Sequence, residues 1–132
     1  MVYCIEKIES DKILGIVEDV LSKAMIKRFC YFLKEYSSET DRIIIEKGIF
    51  SIKEMFLRAV EFVQDVNQYR RDAIKIDLLI NMKKIDRMCK KIVKKRGREF
   101  IRNEYYELIE KIKYTWQIVF HENFPGGFII FD

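Results

Sequence analysis

Residues that end helices are scarce in this chain, and this scarcity constrains its fold more than any other feature. One proline, Pro125, and five glycines occur among 132 residues. Proline has no N–H and ends a helix, so long helices are permitted up to Pro125. An all-β chain would need more turn residues, and a disordered chain would have fewer than the 49% hydrophobic residues present. We predict an all-α fold, a compact multi-helix bundle that forms one domain over residues 1–132.

Apolar residues recur at helical spacing along most of the chain. Residues that favour helix N-caps precede several of these segments, and we expect helices to begin near Ser10-Asp11, Ser37 or Ser38, Ser51 and Asp77. Glycine and proline favour helix ends, which we expect near Gly48, Gly97 and Pro125. The isoleucines at 43–45 are also a strand signal, and the polar residues 67–71 indicate a loop.

The cysteines and the N-terminal sequence indicate the cellular compartment of the protein. The three cysteines, Cys4, Cys30 and Cys89, are an odd number without a C-x-x-C pair, which favours buried free thiols in a reducing compartment. The first residues become charged at once, unlike a secretory signal. No apolar run approaches membrane-spanning length. We therefore predict a cytoplasmic protein, with a peripheral position at the membrane left open.

The residue types that carry catalysis or bind metals are sparse. His121 is the single histidine, and no Cys, His or carboxylate cluster has metal-ligand spacing. No glycine-rich phosphate loop precedes a helix. We expect no enzyme chemistry, no cofactor, no metal and no small-molecule substrate. A cation near a helix C-terminus accounts better for His121 than a general base.

One predicted helix carries a basic face that consists of Lys83, Lys84, Arg87, Lys90, Lys91, Lys94 and Lys95. Such a face can contact nucleic-acid phosphates or an anionic membrane surface. It is also typical of a solvated helix surface with cations towards the C-terminus. No aromatic residues interleave with the lysines to stack on bases, so solvation is the simplest interpretation.

Two polar junctions, residues 35–40 and 122–127, interrupt the apolar pattern, and each by itself is explained as a turn. Their sequences, however, are similar to those of one family. Residues 29–40 read F-x-x-F-L-K-E-Y-S-S-E-T, residues 73–77 read A-I-K-I-D, and residues 119–125 read V-F-H-E-N-F-P. In this order the three segments resemble the regulator of G-protein signalling (RGS) domain, over about residues 13–128. The family's patterns are F-x-x-F-L followed by E-[FY]-S-x-E-N, then [VI]-N-[LI]-D, then M-E-x-D-S-[YF]-P.

The resemblance implies a nine-helix all-α bundle whose partner is the GTP-bound α subunit (Gα) of a heterotrimeric G protein. Such domains accelerate GTP hydrolysis by binding the switch segments in the conformation that hydrolysis requires. Asp77 would brace the contact loop. Carried over by motif, the contact face would consist of Glu35, Tyr36, Glu39, Thr40, Lys75, Ile118, Glu122 and Asn123.

Thr40 and Lys75 stand where the family has asparagines, and the arginine that often follows the last motif is missing. From these departures we expect either an RGS-like domain that serves a divergent Gα subunit or a helical scaffold or adaptor without GTPase-activating function. A nucleic-acid-associated subunit that uses the basic face is a further alternative. The RGS interpretation requires the two junctions to lie side by side, whereas an adaptor requires an exposed apolar groove between helices.

Overall fold

A computed structural model describes the backbone of residues 2–61, 68–95 and 98–125, and the side chains of residues 9–61, 69–92 and 103–125. These residues form five α-helices, one 3-10 turn at Leu33–Glu35 and no strand. The helices are α1 (Val2–Val20), α2 (Lys23–Phe32), α3 (Glu39–Glu61), α4 (Gln68–Lys95) and α5 (Arg98–Phe120). The all-α, multi-helix prediction is confirmed.

Helix α3 lies at the centre of the bundle and packs against the other four helices. Its buried residues, among them Ile45 and Phe56, join one apolar core with residues of every other helix. The largest fully buried side chains include Trp116 and Tyr105 of α5. Because each large apolar side chain contributes about 1.5–3 kcal/mol on burial, this shared core holds the helices together.

Long helices replace the many short ones that the RGS resemblance implies. Helices α3, α4 and α5 contain 23, 28 and 23 residues. The described residues therefore form five long or medium helices and not a nine-helix arrangement. The isoleucine triplet is helical, with Ile45 buried and Ile43 and Ile44 exposed.

Gly48 shows why one predicted helix end is wrong. It lies in the interior of α3, which continues to Glu61. A Cβ atom at position 48 would stand 2.9 Å from Cδ1 of Ile85 on α4. The glycine therefore permits a close approach of α3 and α4 and does not end the helix, because packing outweighs its low helix propensity.

The predicted helix starts had mixed outcomes. Ser38 caps α3, since its Oγ accepts a hydrogen bond from the Asp41 N–H at 3.1 Å. Ser22, which was not predicted, caps α2 through a 3.1 Å bond from the Met25 N–H. Ser10, Ser51 and Asp77 instead lie within α1, α3 and α4. Isolated polar residues are tolerated on the solvent side of a helix, so they need not begin one. Gly97 lies outside the described residues.

Helix α5 ends at Phe120, five residues before the proline that was expected to end it. His121 adopts a left-handed backbone with φ 55°, and its N–H still donates to the Gln117 carbonyl at 2.9 Å. A left-handed residue directly after a helix is a common stop, although glycine usually fills it. Among the described residues, no helix combines the length and apolarity needed to cross a bilayer.

Candidate functional site

The junction after α5 is tied to α4 by charged side chains. The Lys75 ammonium lies 3.0 Å from Oε1 of Glu122 and 5.1 Å from the centre of the Phe120 ring. Lys75 and Glu122, both predicted to contact a partner, therefore contact each other. Their pairing holds the residues after α5 against the second turn of α4.

Arg71 completes this connection and was missed, because the polar sequence around it predicted a loop. It lies in the first turn of α4, where its Nη2 donates to the Val119 carbonyl at 3.1 Å. Its guanidinium also lies 5.8 Å from the Phe120 ring centre. A cation that satisfies a carbonyl at a helix C-terminus is favourable both as a hydrogen bond and with the helix dipole. Arg71 therefore fixes the end of α5.

The remaining residues predicted for this end do not form one face. Asn123 is exposed and Ile118 is half-buried. Asp77 is exposed on α4, two positions from Lys75 and thus about 200° around the helix axis from it. Asp77 therefore lies on a different side of α4 from Lys75, and its bracing role stays a prediction.

The other junction, between the 3-10 turn and α3, is held by local bonds. Ser37 donates to the Leu33 carbonyl at 2.8 Å, and Ser38 caps α3. The partly buried Tyr36 packs against the core. The other predicted contact residues of this junction are exposed: Glu35, Glu39 and Thr40.

The two junctions lie at opposite ends of the bundle. The Phe120 ring contacts the Phe56 ring at 6.2 Å between centres, and Phe56 lies on α3. Glu39 begins that same helix, about 25 Å away along its axis at 1.5 Å per residue. Near the Glu39 end, Phe29 of α2 instead contacts Tyr105, close to the start of α5. The prediction that the two junctions form a single platform is therefore wrong.

A groove runs between α3 and α4 on the surface of the bundle. Its cavity volume is about 330 Å³, within the range of sites that hold small ligands or anchoring side chains. Gly48 and Ile85 lie at its base, where the two helices approach closely. The lining residues are Ile44, Lys47, Gly48, Ser51, Asn81, Lys84, Ile85 and Met88. The surface thus combines an apolar floor with a lysine from each helix.

The described part of the basic face of α4 is mostly exposed to solvent. Lys83, Lys84, Arg87 and Lys91 are exposed and Lys90 is half-buried. None of these five forms an ion pair with a described carboxylate. The backbone of Lys94 and Lys95 is helical, but their side chains lie outside the described residues.

Asp86, the one acidic residue in this part of α4, points into the core. It is 1% exposed, and the Tyr105 hydroxyl donates to its Oδ1. Burial, followed by nearby charges and this hydrogen bond, raises the pKa of Tyr105. The Asp86 side chain therefore joins α4 to α5 on the buried side of α4.

The described thiols lack the environment of a nucleophile. Cys30 and Cys89 are buried and free. Burial raises the pKa of Cys30 to about 12 and raises the pKa of Cys89 as well. Both remain protonated at neutral pH, and the thiol is a poor nucleophile compared with the thiolate. Within the described part of the chain, no group of three or more His, Cys, Asp or Glu side chains could hold a metal ion.

Comparison with known proteins found no matching family model, no matching curated protein and no matching solved structure.

Proposed function

We propose that this chain is a non-catalytic helical adaptor that binds a segment of a partner protein in the groove between α3 and α4. The observation that supports this function is the groove itself, since an adaptor interpretation requires an exposed apolar channel between helices. Ile44, Ile85 and Met88 supply its apolar surface, and Lys47 and Lys84 stand among its lining residues.

The groove's chemistry defines the partner segment. An apolar side chain of the partner packs on Ile44, Ile85 and Met88, beside the point where Gly48 lets α3 and α4 approach closely. Acidic side chains beside that anchor pair with Lys47 and Lys84, neither of which forms an ion pair with a described residue. Charge complementarity of this kind raises the association rate and excludes basic competitors.

Binding to Gα as an RGS domain has less support. Most of its contact residues belong to two junctions that are about 25 Å apart along α3, and Lys75 of α4 is paired with Glu122. What favours that function is the sequence resemblance alone. Single-turnover GTP hydrolysis by Gα, with and without the protein, tests it. Acceleration would replace the adaptor proposal with the RGS one.

Two adjacent isoleucines provide a matched test of the groove. Ile43 and Ile44 are 41% and 38% exposed, but only Ile44 lines the groove. Peptides selected from a randomised 16-residue library on the wild-type protein serve as probes, and their affinities are measured by fluorescence anisotropy. We expect Ile44→Asp to weaken binding at least tenfold and Ile43→Asp to change it less than threefold.

Reversing the groove's charge tests the acidic partner. Lys84→Glu should weaken the same peptides about tenfold, and the selected sequences should be enriched in Asp and Glu. Peptides without acidic residues, or equal losses for the two isoleucine variants, contradict the proposal. Thermal unfolding by circular dichroism verifies that each variant retains its fold.

A further inference from the structure

The outward side of α4 carries large apolar side chains that are exposed. Tyr69, Ile76 and Ile80 are 86%, 58% and 60% exposed. At about 100° per residue the three lie within about 40° of one another around the helix axis. Buried residues of α4 such as Leu78 and Cys89 lie on the opposite side. Exposed apolar residues that cluster on one face indicate an interaction surface.

The same side of α4 becomes cationic further along the helix. Lys83, Arg87 and Lys91 are exposed and continue the line that Ile76 and Ile80 begin, at spacings of three and four residues. No described carboxylate pairs with them. We call this line of six residues the α4 stripe: Tyr69, Ile76, Ile80, Lys83, Arg87 and Lys91. It extends over about 33 Å.

We propose that the α4 stripe docks this protein on the surface of an anionic lipid bilayer. Tyr69, Ile76 and Ile80 enter the interface between headgroups and acyl chains, and the three cations bind anionic headgroups. Apolar insertion and electrostatic attraction together give reversible membrane binding where either alone is weak. This inference is independent of the groove, which lies about a quarter turn around α4.

Shape and composition favour a bilayer over other anionic partners. The stripe is the convex outer side of one helix, and a bilayer deforms around convex side chains, whereas a protein partner needs a complementary concave surface. A nucleic acid would contact the cations, but the three apolar residues would have no role on a phosphate backbone. No aromatic residue stands among the cations to stack on bases.

The test is sedimentation of the full chain with vesicles of phosphatidylcholine alone and of phosphatidylcholine with 30% phosphatidylserine. We expect binding to the anionic vesicles only. The combined variant Lys83→Gln, Arg87→Gln and Lys91→Gln should lower the partition coefficient about 100-fold, at roughly fivefold per cation. Its control removes the same charge from exposed lysines of other helices and should have less than a fivefold effect: Lys12→Gln, Lys23→Gln and Lys27→Gln.

The apolar half has its own variant and control. Ile76→Ser with Ile80→Ser should weaken vesicle binding about tenfold, because less apolar surface enters the interface. Tyr114→Ser removes an exposed aromatic residue, 51% exposed on α5, and should have no effect. In a Tyr69→Trp variant, the tryptophan emission should shift to shorter wavelength on anionic vesicles and stay unchanged on neutral ones.

Three outcomes overturn the proposal. Equal binding to neutral and anionic vesicles shows that the three cations of the α4 stripe do not contribute to binding. Equal losses of vesicle binding in the stripe variant (Lys83, Arg87 and Lys91 changed to Gln) and in its control (Lys12, Lys23 and Lys27 changed to Gln) show that net charge decides binding, and not the α4 stripe. No vesicle binding, together with salt-dependent binding to a 20-base-pair RNA or DNA duplex, assigns the cations to nucleic acid instead. Circular dichroism of each variant confirms folding before these results are interpreted.

Discussion

The two junctions at opposite ends of the bundle both interrupt the apolar pattern with polar residues, but they are held by different contacts. The junction after α5 is joined to α4 by an ion pair from Lys75, a hydrogen bond from Arg71 and the Phe120 ring. The junction before α3 is held by serine bonds that reach three or four residues along the chain. Polar residues between helices can therefore fasten distant helices together or only shape a turn. Their composition does not distinguish these roles.

The largest expected effect comes from Phe120, because it is the apolar centre of the α5 junction. It is 6% exposed and its ring contacts those of Phe56 and Trp116. Phe120→Ala should lower the free energy of unfolding by about 3–5 kcal/mol, measured by urea denaturation. Tyr36→Ala, at the opposite junction, should cost less than half as much since Tyr36 is partly exposed. Equal costs would remove the contrast between the two ends.

The second-largest loss of stability is expected for Arg71→Ala. The change removes a charged hydrogen bond to the Val119 carbonyl and the packing of the guanidinium on Phe120. We expect a loss of about 1.5–3 kcal/mol. Arg87→Ala is the matched control, because Arg87 is an exposed arginine on the same helix. The measurement is again urea denaturation, and a similar loss at position 87 would show that helix propensity, and not the contact with α5, explains the result.

Ser38→Ala should cost about 1 kcal/mol through loss of the N-cap of α3. Because the bond is local, the change should raise amide hydrogen exchange in the first turn of α3 and leave α5 unaffected. Native-state hydrogen exchange measures both regions in one experiment. Faster exchange in α5 would show that this junction is coupled to the distant end after all.

The smallest effect is expected at the ion pair between Lys75 and Glu122. Glu122 is 45% exposed in its side chain, so solvent screens the attraction, and Glu122→Gln should cost less than about 1 kcal/mol. The cost should fall further in 1 M salt, where the screening length is about 3 Å. Denaturation of both proteins at low and high salt measures it. A cost of several kcal/mol that persists in salt would mean that the pair is a major stabilising contact.

Local sequence signals predicted what depends on local interactions. The scarcity of proline and the helical spacing of apolar residues predicted the all-α fold, and the serine at 38 predicted the start of α3. The helix end predicted at Gly48 and the helix start predicted at Asp77 were wrong, because the roles of these residues depend on their neighbours in the folded protein. The glycine meets Ile85, 37 positions later in the sequence, and Asp77 lies on the solvent side of a helix that began nine residues earlier. Arg71 was missed for the same reason, since its partner is a carbonyl of α5.

The candidate surfaces also include features that the sequence predicted and features that only the tertiary structure shows. The basic face of α4 was visible from the sequence because its lysines recur at three and four residues, which a helix alone brings together. The inward direction of Asp86 and the exposure of Lys83, Lys84, Arg87 and Lys91 were not visible, since both depend on which side of α4 is buried. The groove needs two helices that meet at Gly48, so no single segment indicates it.

By itself the sequence determined that this chain is helical, where its apolar stripes lie and that one helix is strongly basic, because these properties depend on residues within one or two turns of each other. Only the tertiary structure decided that the two polar junctions are on opposite ends, that Lys75 and Glu122 pair with each other, and that a groove opens between α3 and α4. The physical reason is the length and direction of the helices. Helix α3 carries the chain about 35 Å from one end of the bundle to the other, α4 returns along it, and α5 then runs in the direction of α3 again.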